Sequence, residues 1–268
     1  MGKNLNRELL SNLYDELLLR PIDRVGMDYF FPLLENKKIN LSQVREIIIN
    51  SDEFKNRQGN NPKVIEFSKL YFQYKNRLPI WGDTHWFGVQ TLKVPLDLWI
   101  YQEIIFQIKP DYIIETGTWR GGSALFLAHI CDTLNHGQVI TIDVESRDPP
   151  KHKRISYFNG SSTDPSIINK IKKKVNSKNK ILVILDSLHD KKHVLQEMEL
   201  YKEFVSENSY LIVEDTLDDH YPLFPDIVPG PMAAVVEFLK NNNNFKVDTK
   251  CEKFLLTSNF NGYLKRIK

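Results

Sequence analysis

Short apolar runs separated by helical stretches dominate the chain from about residue 95 onward. Tyr112–Ile114, Val139–Ile142, Ile155–Phe158, Ile181–Leu185 and Tyr210–Val213 read as strands, with Ser123–Leu134, Pro165–Val175 and Asp190–Val205 as the helices between them. Strands this short and apolar must be buried on both faces, which predicts a parallel sheet covered by helices on each side. After a helix at Met232–Lys240 come three strand-like pieces, Phe245–Val247, Phe254–Thr257 and Tyr263–Ile267, and Asn261-Gly262 supplies a turn between the last two. The fold class is therefore α/β, mostly parallel, closed by a C-terminal antiparallel hairpin.

The first 57 residues follow a different pattern. Leu5, Leu9, Leu10, Leu13, Leu17 and Leu18 recur at helical spacing until Pro21 ends the run. A second helix is expected over Met27–Leu34, and a third after Asn40 or Ser42, with Val44, Ile47 and Ile48 on its apolar face. The polar stretch Arg57-Gln58-Gly59-Asn60-Asn61-Pro62 suits a domain boundary, placed between residues 58 and 59.

Composition narrows the class without naming a partner. Thirty-six basic residues nearly match 34 acidic ones, a formal net charge of +2. The one dense basic stretch, from Lys170 to Lys180, reads as a solvated helix and turn, so no nucleic-acid partner is expected. Cys131 and Cys251 are far apart and show no disulfide pattern, which suits a reducing cytoplasm. The first residues lack the apolar core of a signal peptide, and no apolar run approaches the roughly 20 residues of a membrane span. A soluble, cytoplasmic protein is expected; a homo-oligomer is compatible with the sequence but not specified by it.

Chemistry first appears at Asp111 to Ser123, which reads as strand, Gly-rich turn and helix. Gly117, Gly121 and Gly122 do not make the G-x-G-x-x-G spacing of dinucleotide sites. A pocket for the amino-acid part of S-adenosylmethionine fits better, formed by the turn at Gly117-Thr118. Glu115 would receive the ligand's ammonium, directly or through water, and Ser123 at the helix start its carboxylate. Asp143, ending the next strand, is placed to accept both ribose hydroxyls. Ser161 and Ser162, after the third strand, would lie beside the adenine. Five strand–helix units ending in a hairpin describe the class I methyltransferase variant of the Rossmann architecture.

Asp186 ends one buried strand, and Glu214 and Asp215 end the next. In a parallel sheet these ends converge, and three uncompensated carboxylates call for a hard divalent cation. Asp186 also borders the cofactor end. His189, one short turn after Asp186, could take a proton from a metal-bound hydroxyl, and Asp190 is the rival base. The stretch His189-Asp190-Lys191-Lys192-His193 is similar to a zinc-protease helix, but Asp stands where Glu is required.

Many ordered matches together resemble the cephalosporin hydroxylase and rhamnosyl O-methyltransferase family, from about Gly82 to the C-terminus. They include Trp86-Phe87-Gly88, Lys93-Val94-Pro95-Leu96-Asp97, Tyr101-Gln102-Glu103, Ile114-Glu115-Thr116-Gly117-Thr118, Asp186-Ser187-Leu188-His189, Val213-Glu214-Asp215-Thr216 and the tail from Glu252 to Arg266. The resemblance implies S-adenosylmethionine as cofactor, Mg2+ at Asp186, Glu214 and Asp215, and a base at His189. It implies a sugar hydroxyl as acceptor, on a glycan, nucleotide sugar or glycolipid precursor. An oxygenase site is not supported, because a two-His, one-carboxylate iron triad does not fit an edge that offers mainly carboxylates. Two readings stand beside it: a non-catalytic cofactor-binding subunit of a partner enzyme, and methylation of a catechol-like or antibiotic-precursor hydroxyl. The N-terminal segment resembles a small helical domain of unknown function found beside bacterial glycan-modifying enzymes. That likeness rests on Leu13-Tyr14, Leu19 to Asp23, Gly26, Tyr29 and Ser51-Asp52-Glu53-Phe54.

Overall fold

A computed structural model describes residues 2–18, 20–55, 61–72, 80–219 and 229–268. The chain divides into two compact units, residues 1–65 and 66–268. The boundary expected between residues 58 and 59 lies outside the described residues.

In the first unit, helices α1 (Gly2–Leu18), α2 (Arg24–Glu35), α3 (Leu41–Asn50) and α4 (Asp52–Lys55) bury Leu10, Tyr14, Phe30, Leu34, Val44, Ile48 and Phe54. Asn40 caps α3 in a reciprocal capping box with Gln43. The residues that carried the N-terminal resemblance interlock here. The Arg20 guanidinium lies over the Tyr14 ring and is bonded to both oxygens of Glu53. Asp23 caps α2 through the Gly26 N–H, and a Cβ on Gly26 would come within 2.4 Å of the Tyr14 hydroxyl. The motif is a packing signature.

Helix α5 (Pro62–Phe72) spans the division. The second unit then opens with the two-residue strands β1 (His85–Trp86) and β2 (Val89–Gln90), followed by helix α6 (Pro95–Ile108). Its parallel strands are β3 (Tyr112–Thr116), β4 (Gln138–Asp143), β5 (Ile155–Asn159), β6 (Ile181–Leu185) and β7 (Tyr210–Val213). The intervening helices are α7 (Gly122–Thr133), α8 (Pro165–Lys174) and α9 (Lys191–Tyr201), with α10 (Pro231–Asn241) before β8 (Phe245–Val247) and β9 (Tyr263–Arg266). The sheet order is β5-β4-β3-β6-β7-β9-β8, with β9 antiparallel to both neighbours.

Strand periodicity divides the core between the two faces of this sheet. Ile181, Val183 and Leu185 of β6 pack with α8, α9 and α10, while Leu182 and Ile184 pack with α6 and α7. The helices change face between β3 and β6, the topological switch point at which open α/β sheets form their ligand crevice.

The strand expected over Phe254–Thr257 is not formed. Leu255 has φ 71° and Asn261 φ 58°, which an extended ladder cannot accommodate. The segment is bonded instead to the buried Asp97 of α6, whose carboxylate accepts the Thr257 hydroxyl and the Ser258 backbone N–H. The antiparallel hairpin is therefore β8 with β9, joined by a long irregular connection, and Asn261-Gly262 leads into β9 without linking two strands.

Candidate active site

A cleft of about 700 Å³ opens over the carboxyl ends of β3, β4 and β6. Gly117, Thr118, Ser123, Asp143, Ser161 and Ser162 all line it. Gly117 has φ 86°, and a Cβ there would fall 1.7 Å from the Asp186 carbonyl oxygen, so only glycine lets these two strand ends lie against each other. Thr118 is turned inward, its hydroxyl 2.7 Å from that of Thr141. Ser123 sits in the first turn of α7 with its orphan N–H groups. The Asp143 carboxylate is oriented by two backbone donors, Trp119 N–H at 2.8 Å and Glu145 N–H at 2.9 Å. Ser162 Oγ lies 3.3 Å from His193 Nε2, and Ser161 Oγ 3.1 Å from Thr163 Oγ1.

Glu115 stands back from the cleft. It is fully buried and absent from the cleft lining, with Oε2 accepting the Thr141 hydroxyl at 2.6 Å. Its parity with Ile113 turns it toward the α6–α7 face, behind the cleft-lining Ser123, to which it is also hydrogen-bonded. Burial raises its pKa to about 7, although Lys93 and hydrogen bonds pull it down.

At the adjoining edge the structure brings Asp186, His189 and Asp215 together, with one ligand atom from each lying within 4.8 Å of the others. His189 Nε2 is 3.5 Å from Asp186 and 3.2 Å from Asp215, and Nδ1 is 3.5 Å from Asp218. Glu214 lies just behind, 2.8 Å from the ammonium of Lys93, which is also bonded to Asp186. Glu214 Oε1 is buried with no hydrogen-bond partner. Burial alone would lower the Lys93 pKa, but the charges of Asp186, Glu214 and Glu115 drive it well above the ordinary lysine value. Burial and the charge of Asp186 push Glu214 well up despite Lys93. Asp190 is taken up as the N-cap of α9, accepting from Lys192 and His193 N–H. It lines a neighbouring groove but not this cleft.

Lys93 and Asp218 have no sequence signal of their own. Lys93 stood in the family pattern without a role, because its partners are distant in the chain and only the fold reveals them.

Residues 79–267 match the rhamnosyl O-methyltransferase/CmcI family. The chain belongs to this family. A rhamnosyl O-methyltransferase of Mycobacterium bovis is 36% identical over 209 residues, covering 75% of this chain and 84% of that protein. One from Mycobacterium leprae is 35% identical over 196 residues, covering 70% and 85%. A CmcI structure with Mg and S-adenosylmethionine aligns at a TM-score of 0.56 and 19% identity, covering 70% of this chain and 78% of that one. That likeness shows the shared fold, and family membership rests on the sequence matches.

Proposed function

We propose that this member of the rhamnosyl O-methyltransferase/CmcI family transfers the methyl group of S-adenosylmethionine to a sugar hydroxyl with the help of Mg2+. The observation that carries the reading is one cleft running from Asp143 and Ser123 to Asp186, His189 and Asp215. It joins a nucleoside-binding end to an acidic edge. The names of the similar mycobacterial proteins supply the sugar.

The acidic edge fits a divalent cation. Asp186 and Asp215 face each other across His189, and the carboxylate of Glu214 stands behind them on the Lys93 ammonium. Asp186, Glu214 and Asp215 would hold Mg2+, which when bound fixes the acceptor oxygen and lowers its pKa. His189 is the group that takes the acceptor proton. When bound, S-adenosylmethionine would supply the methyl group to that oxygen as its own carbon–sulfur bond breaks, leaving S-adenosylhomocysteine. Asp143 holds the ribose, Ser123 the carboxylate, and Ser161 and Ser162 flank the adenine. Much of the catalysis is orientation of two bound reactants.

Every residue in this reading belongs to the second unit. A chain lacking residues 1–60 is therefore expected to bind S-adenosylhomocysteine as the full chain does. Complete loss of binding by a folded truncation would contradict this. We infer that the helical unit serves assembly or delivery. A cytoplasmic setting is supported by two free, buried cysteines, Cys131 and Cys251. Among the described residues no helix is long and apolar enough to cross a membrane.

The test of the reading is cofactor binding. S-Adenosylhomocysteine is expected to bind the purified protein, and Asp143→Ala to weaken it about tenfold or more, as a charge-assisted acceptor is lost. Calorimetry that detects no binding by the unaltered protein would sink the proposal.

A further inference from the structure

We propose that Asn259 is a positioning residue that sets Asp215 for the divalent cation. The inference rests on the metal reading above and concerns a residue outside the cleft.

Asp215 has φ 53°, a left-handed conformation that a residue with a Cβ adopts at a cost. Something must hold it there. Its backbone N–H donates to Asn259 Oδ1 at 3.3 Å. Asn259 is itself fully buried, and its side chain has little freedom to turn. Nδ2 donates to the Tyr101 hydroxyl at 2.9 Å and lies 3.4 Å from that of Tyr263, while Ser258 Oγ donates to Oδ1 at 2.9 Å.

The segment carrying Asn259 is anchored from α6. Asp97 is 2% exposed, and its carboxylate accepts the Tyr263 hydroxyl and the Ser258 N–H, each at 2.9 Å, besides the Thr257 hydroxyl. The same segment grips the residues after Asp215. Thr216 Oγ1 donates to the Phe260 carbonyl at 2.7 Å, and Leu217 N–H to the Ser258 carbonyl at 3.0 Å. Gly262 permits this close fit, since a Cβ there would stand 2.1 Å from the Val213 carbonyl oxygen. A fully satisfied polar web in a buried site fixes one arrangement and excludes others. Its outlet is Asp215, whose carboxylate reaches the cleft 3.2 Å from His189.

Groups that orient a metal ligand are typically worth 10- to 100-fold in metal affinity. The full-length Asn259→Ala protein is therefore expected to bind Mn2+ about 10- to 100-fold more weakly by electron paramagnetic resonance titration. S-Adenosylhomocysteine affinity, set at Asp143 and Ser123, should be unchanged. Asn259→Asp keeps the acceptor oxygen toward Asp215 and should retain Mn2+ affinity. Thr257→Val removes the bond to Asp97 and the acceptor of the Asn259 backbone N–H at 2.9 Å, so it loosens the same segment and should lower both thermal stability and Mn2+ affinity. If Asn259→Ala does not fold, Asn259→Ser carries the measurement, since its hydroxyl is too short to reach Asp215. Asn259 has no positioning role if the Ala or Ser variant binds Mn2+ as the unaltered protein does, or if a folded Asn259→Asp loses it equally. An unaltered protein that takes up no Mn2+ overturns the metal reading instead, so the two failures are distinguishable.

Discussion

Asp215→Ala and Asp186→Ala are each expected to abolish methyl transfer and to lose Mg2+ binding. The two substitutions disturb the protein differently. Asp215 is partly exposed, and its neighbour His189 has other carboxylates to bond, so its removal deletes little besides a ligand. Asp186 also shares the buried Lys93 ammonium with Glu214, and breaking a buried ion pair typically costs about 3–5 kcal/mol. Asp215→Ala is thus the clean variant, and Asp186→Ala should show a lower melting temperature as well as loss of metal. Asp215→Ala should retain S-adenosylhomocysteine, whose ribose contact at Asp143 is untouched. Undiminished transfer in the presence of a chelator would remove the cation from the mechanism.

His189→Ala should bind metal and cofactor yet lose rate by roughly a hundredfold or more, the usual contribution of a positioned base. The surroundings of His189 add a signature. Burial works against its charge, but hydrogen bonds to Asp186 and Asp218 and the charge of Asp215 push its pKa up to about 11 in the metal-free protein. A proton held that tightly blocks a base at neutral pH. The same carboxylates are the proposed ligands, so Mg2+ should neutralise them and bring the His189 pKa down. Imidazole titration by nuclear magnetic resonance is expected to show that fall on adding Mg2+. Transfer by the loaded enzyme should rise with pH as His189 loses its proton. For stability the sign is fixed by the raised value. The metal-free fold gains from protonated His189 at pH below the ordinary value of 6.5, and loses that gain as pH climbs through about 11. Full activity in His189→Ala with none in Asp190→Ala would exchange their roles, against the use of Asp190 as a helix cap.

The sheet was legible because β3 to β7 are apolar runs too short to be anything but buried strands. Their last residues could then be placed on one edge by parallel topology alone, which brought Asp143, Asp186 and Asp215 to the cleft. Three things escaped. Helix α6 carries apolar residues nearly all round, with Trp99 and Phe106 exposed opposite its buried face, so it offers no clear stripe. The apolar look of Phe254–Thr257 is misleading, because Phe254 and Leu255 are exposed and only Leu256 and Thr257 turn inward, and the positive φ of Leu255 has no sequence mark. Lys93, Asp97 and Asn259 act through partners far along the chain, and single charges or amides at such separations leave no spacing to read.

Lys93 also bears on how the protein comes into being. Many small metal domains fold only when their ion arrives, because their ligands repel one another without it. Here the chain carries its own cation into the carboxylate cluster, between Asp186 and Glu214. A newly made chain is therefore expected to complete its sheet before the proposed magnesium is at hand, so refolding in a chelator should restore the same helix and strand content.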